Sequence, residues 1–154
     1  MPISSIFLFK DLSDSRLKKI TDTVKKTRIK KGDWLFHEGG SADRFYALES
    51  GAVELFTRIN DDFELPVTII RNVGGCFGIS ALVPPYQYSL SSRCAEDADL
   101  LEFRRADIEK LSAEDQALGC TIMTNLAQYL LERLKETRQD LKNHFKTLFQ
   151  STQT

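Results

Sequence analysis

Glycines punctuate short apolar runs through the middle of this chain, and that pattern narrows its fold more than any other feature. The breaks fall at Gly32, Gly39-Gly40, Gly51, Gly74-Gly75 and Gly78. Around them lie Trp34-Leu35-Phe36, Phe45-Tyr46-Ala47-Leu48, Val53 to Phe56, Val67 to Ile70 and Leu100 to Phe103. Short strands separated by turn signals, with no helical pattern between them, predict an antiparallel β roll or barrel and exclude a parallel sheet. Val53, Leu55 and Thr57 alternate with Glu54, Phe56 and Arg58, the pattern of a half-buried strand. Tight corners in a small roll need positive φ or close backbone approach, which glycine supplies without strain. These glycines therefore speak for the fold, not for a ligand.

Helical patterns flank the roll. Asp11 to Lys26 reads as a short amphipathic helix with Ser13 as N-cap, Asp14 in the first turn, and Leu12 stapled onto Leu17. From Ala106 onward, Asp107 to Leu111 opens a short helix, Gly119 breaks the pattern, and a long run follows from Thr121 to Phe149. Met123, Ala127, Leu130, Leu134, Thr137, Leu141, His144 and Leu148 recur in steps of four and three, a heptad seam about 25 residues long. Glu136 with Asp140 and Arg138 with Lys142 are like-charge pairs, so the helix depends on packing its seam. The seam packs either onto its own roll or onto a second copy, and its length favours the second copy. Arg133 and Arg138, as facing neighbours, count against a regular parallel coiled coil. The chain thus divides into a helical segment at 1–27, a roll at 28–104 and helices at 105–150, with a frayed tail at 151–154.

Function classes are narrowed by what the chain carries. Of 154 residues 42% are hydrophobic, enough for a core, and 21 Lys+Arg balance 22 Asp+Glu, so total charge would not hold a nucleic acid. Lys25, Lys26, Arg28, Lys30 and Lys31 form the one dense basic run; it reads as a solvated helix-to-strand junction and has no interleaved aromatic platform. No apolar run suits a membrane span, and the first ten residues lack the basic start and cleavage site of a secretory signal. Cys76, Cys94 and Cys120 make neither a disulfide framework nor a zinc ribbon, so they read as buried thiols of a reducing cytoplasm. A metal enzyme of small-barrel type needs two or three histidines on one strand face; only His37 and His144 are present, far apart, and no GxSxG context occurs. The chain reads as non-enzymatic.

Lys31-Gly32-Asp33-Trp34-Leu35-Phe36-His37-Glu38-Gly39-Gly40, followed by Phe45-Tyr46-Ala47-Leu48-Glu49-Ser50-Gly51-Ala52-Val53-Glu54-Leu55, resembles the opening of the cyclic-nucleotide-binding domain of the catabolite activator family. Gly74-Gly75-Cys76-Phe77-Gly78 resembles that family's glycine-rich approach to its phosphate-binding cassette. Leu101 to Leu141 resembles its last strand, short helix and long dimerisation helix. The resemblance covers residues 6 to 145. It implies a mainly β, α+β fold: an eight-stranded antiparallel, jelly-roll-like β roll (a double-stranded β-helix), an N-terminal helix and a long C-terminal helix that forms a homodimer. Met123, Ala127, Leu130, Leu134, Thr137 and Leu141 would line the dimer interface. The family's transcription regulators read DNA through a helix-turn-helix after that helix; the residues past 143 are too few for one, so direct DNA binding is not expected of this chain.

In the family a glutamate just after the last glycine receives the ribose, and an arginine some ten residues on, followed by Ser or Thr, pairs with the cyclic phosphate. Here Gly78-Ile79-Ser80-Ala81-Leu82 puts Ile79 at the glutamate. Counting back from the Leu100 to Phe103 strand puts Tyr88 at the arginine and Ser89 at the hydroxyl residue. Arg93 is the nearest cation, but its odd offset from Tyr88 turns it to the opposite strand face unless a bulge intervenes. A charge-assisted hydrogen bond contributes roughly 1.5–3 kcal/mol and an unpaired buried charge typically costs about 3–5 kcal/mol, so the loss should weaken nucleotide binding by about two to three orders of magnitude at least. The expectation is a pocket emptied, or refitted by Ser80, Tyr86, Tyr88, Ser89 and Ser91 for another small molecule, in a regulatory or sensor module that signals through its dimer helix or a protein partner. The alternatives are a cyclic-nucleotide receptor that uses Arg93, and a structural dimer with a vestigial pocket. Cys76, inside the glycine loop, is a candidate sensor thiol if backbone N–H groups lower its pKa.

Overall fold

The computed structural model describes residues 1–152. Two 3-10 turns, Ile3–Ser5 and Phe7–Phe9, lead into helix α1, Asp14–Thr21, whose N-cap Ser13 accepts a hydrogen bond from the Arg16 amide. Eight strands follow: β1 (Lys25–Ile29), β2 (Trp34–Phe36), β3 (Arg44–Ser50), β4 (Val53–Asn60), β5 (Phe63–Ile70), β6 (Cys76–Phe77), β7 (Ser91–Cys94) and β8 (Ala98–Arg104). A 3-10 turn, Ile79–Leu82, separates β6 from β7. Helices α2, Arg105–Glu114, and α3, Gln116–Thr152, complete the order.

The strands form two four-stranded sheets, β1-β8-β3-β6 and β2-β7-β4-β5, with every pairing antiparallel. The two sheets close into a roll, as the glycine-punctuated pattern predicts. Their facing sides bury an aromatic group in which Phe36 and Tyr46 stack at 6.2 Å and Tyr46 and Phe77 at 5.4 Å. The other face of the first sheet packs on the helices: Phe103 lies 4.9 Å from Phe45 and 5.2 Å from Phe9. Strand β8 is therefore buried on both faces, with Leu100, Leu101 and Phe103 in the core and the buried Glu102 carboxylate paired with Arg44 at 3.2 Å.

Several local expectations change. Helix α1 stops at Thr21, and Lys25 to Ile29 is a strand, because its backbone pairs with Glu102 to Ala98 of β8. Most of the basic run thus lies on or beside an edge strand, where lysines discourage pairing with a further chain. Phe56 is buried although it alternates with Leu55, because Trp34 at 5.7 Å and the Arg93 guanidinium at 4.9 Å cover its ring. Gly119 does not interrupt α3. A Cβ there would lie 2.7 Å from the Cβ of Ser112, so the glycine lets α2 and α3 come close. Ser151 and Thr152 continue the helix, their hydroxyls donating to Leu148 and Phe149 carbonyls; the rest of the expected frayed tail lies outside the described residues.

Helix α3 meets its own domain along Leu118, Ile122, Asn125 and Leu126. The Asn125 amide donates to the Leu8 and Lys10 carbonyls at 3.0 and 2.9 Å, tying the start of the chain to this helix. Arg16 forks onto Asp115 at 2.7 and 3.2 Å between α1 and the α2–α3 junction. The heptad seam occupies a different stripe. Met123, Leu130, Leu134, Leu141 and Leu148 are each more than two-fifths exposed, so the seam is not consumed by the roll. Among the described residues no helix is long and apolar enough to cross a membrane.

Candidate functional site

A cavity of about 400 Å³ lies between the roll and α3. Phe36, Leu55, Phe77 and Tyr88 form its apolar floor, and Ile79, Ser80, Ser89 and Leu90 form a wall. Across the mouth runs α3, which contributes Tyr129, Leu130, Arg133, Glu136, Thr137 and Asp140.

The wall is built by the turn after β6. Gly78 has φ of 76°, and a Cβ there would lie 3.2 Å from Phe36 and 3.4 Å from the Arg44 carbonyl, so both the backbone and the space call for glycine. The 3-10 turn that follows presents Ile79 and Ser80 to the cavity and buries Ala81 and Leu82 in the core. Ser80 and Ser89, nine positions apart, place their hydroxyl oxygens 3.4 Å from each other. Of the expected site residues, Gly78, Ile79, Ser80, Tyr88 and Ser89 are thus brought together, while Ala81 and Leu82 serve packing.

Tyr88 is the most telling of them. Its ring stacks on Phe36 at 3.9 Å between centroids and 10° between planes. Its hydroxyl donates to the Arg44 carbonyl at 2.7 Å, and burial raises its pKa. Tyr88 thus gives the cavity a neutral ring whose one donor is already used. Arg93 does not reach the cavity. On β7 it pairs with Trp34 and Glu54, and its guanidinium lies 5.1 Å from the Trp34 ring and 4.9 Å from Phe56, with Glu54 Oε2 at 3.9 Å. Tyr86 and Ser91 are also outside the lining: Tyr86 lies under the Arg105 guanidinium at 3.9 Å, and Ser91 Oγ accepts from the Glu38 amide at 2.8 Å.

The sequence pattern missed the contribution of α3. Arg133 Nε donates to the Tyr129 hydroxyl at 3.0 Å and Nη1 to Glu136 Oε2 at 3.1 Å, so its head turns toward the cavity side of the helix. Its steps of four from Tyr129 and to Thr137 were legible as a second stripe beside the seam. Nothing short of the fold shows that this stripe faces the cassette.

Cys76 is not an activated thiol. It is enclosed, its Sγ lies 3.8 Å from the Gly74 carbonyl, and burial pushes its pKa up to about 12. Cys94 is buried too, but Cys120 is exposed on α3, against the expectation of three core thiols. His37 stands beside Trp34, 5.0 Å between rings, and His144 is exposed on α3.

The Cyclic nucleotide-binding domain family matches residues 26–115 of this chain. The Anaerobic regulatory protein of Bacillus subtilis (strain 168) is 25% identical over 137 residues, 88% of this chain and 57% of that protein. The cAMP-dependent protein kinase regulatory subunit of Blastocladiella emersonii is 30% identical over 81 residues, 53% of this chain and 20% of the other. The chain therefore spans well under two thirds of the curated relatives it matches. Among solved structures, one from Geobacter metallireducens GS-15, assigned to the cyclic nucleotide-binding proteins, shares 31% identity at a TM-score of 0.71, covering 82% of this chain and 91% of that one. The Catabolite Activator Protein of Thermus thermophilus, at 24% identity and a TM-score of 0.74 over 88% of this chain and 62% of its own, shares the fold.

Proposed function

Because the chain belongs to the cyclic nucleotide-binding domain family, we propose that it is a non-enzymatic sensor module whose roll no longer holds cAMP or cGMP and whose α3 seam pairs with a second copy. One observation carries this reading. The cavity is lined by Tyr88, on our reading the counterpart of the phosphate's arginine, and on its other side by Leu130 and Thr137, which also belong to the seam. An occupant would press on the same side chains that a second helix would meet. Filling the cavity then changes what the seam presents, and a ligand that binds one arrangement better shifts the population toward it.

The partners are accordingly a small molecule in the cavity and a second copy, or a docked protein, along α3. A thermal-shift titration with cAMP and cGMP up to millimolar tests the loss of nucleotide binding. A ligand at a hundred times its dissociation constant would raise the melting temperature by roughly 5–10 °C for a domain of this size. The expected result is no shift with either nucleotide. A full shift would mean that backbone amides alone hold the phosphate, and would refute the lost cassette.

A further inference from the structure

We infer that the cavity selects an uncharged, ring-bearing ligand and turns anions away, an inference that rests on reading this cavity as the domain's ligand site. Its interior offers aromatic surface from Phe36, Phe77 and Tyr88 and aliphatic surface from Leu55, Ile79 and Leu90. The polar groups at its wall are hydroxyls, those of Ser80 and Ser89, which donate and accept without charge.

The charged groups of the lining all stand on α3. They are one cation, Arg133, and two carboxylates, Glu136 and Asp140. Arg133 is already committed to Glu136 at 3.1 Å and to the Tyr129 hydroxyl at 3.0 Å. An entering anion would share that guanidinium with Glu136, in a lining whose charged side chains sum to −1, and face Asp140 one turn further on. It would also give up its own hydration, which is repaid only by well-placed donors. An uncharged ring meets none of these costs. About 400 Å³ lies within the range of pockets that enclose a small organic molecule, so two or three fused rings with one or two hydroxyl or carbonyl groups match the space.

Three probes of one shape test this on the full chain at neutral pH: 2-naphthol, 2-naphthoate and 2-naphthylmethylamine, uncharged, anionic and cationic. Affinity is read by calorimetry, and the site by amide chemical-shift changes at Ser80, Ser89 and Thr137. The expected result is that naphthol perturbs these amides and binds about tenfold or more tighter than naphthoate. Glu136→Gln with Asp140→Asn should raise naphthoate affinity relative to that of naphthol. If naphthoate binds as well as naphthol, or the amine binds best, with the same amides moving, the charge preference is overturned while the cavity survives as the site. If no probe moves those amides, both the preference and the cavity assignment fall.

Discussion

Tyr88 closes one corner of the roll from within. Its ring packs against Phe36, and its hydroxyl donates to the Arg44 carbonyl. Arg93, which spacing turns to the opposite strand face, lies outside the cavity lining against Trp34 and Phe56. The burial of Cys76 agrees with its reading as a core thiol, and the alternative of a sensor thiol fails. A glycine loop reads as a source of N–H groups, but the roll buries the thiol more deeply than the loop could activate it. Two consequences follow at neutral and alkaline pH. Intact-mass analysis after iodoacetamide treatment at pH 8 should show one modified thiol per native chain, Cys120, and three after unfolding; fast labelling of Cys76 would refute its burial. Because the folded pKa of Cys76 is raised to about 12 from an ordinary 9, its contribution to stability is complete below pH 9 and is lost as pH climbs toward 12.

Gly119 makes the contrast among elements. In the sequence a glycine inside a helical pattern looks like a stop, because glycine costs about 1 kcal/mol against alanine in a helix. In the fold it is the contact point of α2 and α3, where any side chain would meet Ser112. Gly119→Ala should therefore destabilise despite the better helix former. Overpacking costs about 1–3 kcal/mol, so a net loss of about 1 kcal/mol is expected in urea unfolding, restored when Ser112 is also replaced by Gly. A stabilised Gly119→Ala would show that the helices are free to part. Strands β2, β3, β4, β5 and β8 were legible as apolar runs set off by glycine; β1, β6, β7 and the end of α1 were not. Lys25 and Lys26 suit a helix as well as an edge strand, and only pairing with β8 decides between them.

For the molecule as a whole, the roll and long helix were readable as a pattern, while their meeting across the cavity was not. That meeting depends on the angle at which α3 leaves α2, which no periodicity encodes. The exposed seam carries the prediction for assembly. Light scattering should give the mass of two chains, and Leu134→Glu, near the middle of the exposed stripe, should give the mass of one. A variant that stays dimeric would refute the placement of the interface. Cys120 lies three residues before Met123 at the start of the stripe, so mild oxidation should cross-link a parallel, in-register pair through it.

The ties around Asn125 bear on how such an assembly could transmit force. Lys10 reaches Gln128 at 2.6 Å, Asn125 holds the Leu8 and Lys10 carbonyls, and Arg16 grips Asp115. Displacing α3 away from the first residues would break all of these bonds, whereas swinging the helices and the chain's opening together breaks none. What they swing against is largely apolar, Phe9 on Phe103, with the Met1 ammonium on Glu49 at 3.5 Å as a tie from the opening residues to the roll. At the start of α2, Arg105 is pinned by its amide to the Asp43 carbonyl at 2.9 Å and by its guanidinium to the Ala42 carbonyl at 3.2 Å. The helical layer is thus a lever with its fulcrum at Arg105, and the first ten residues ride on it as part of the arm.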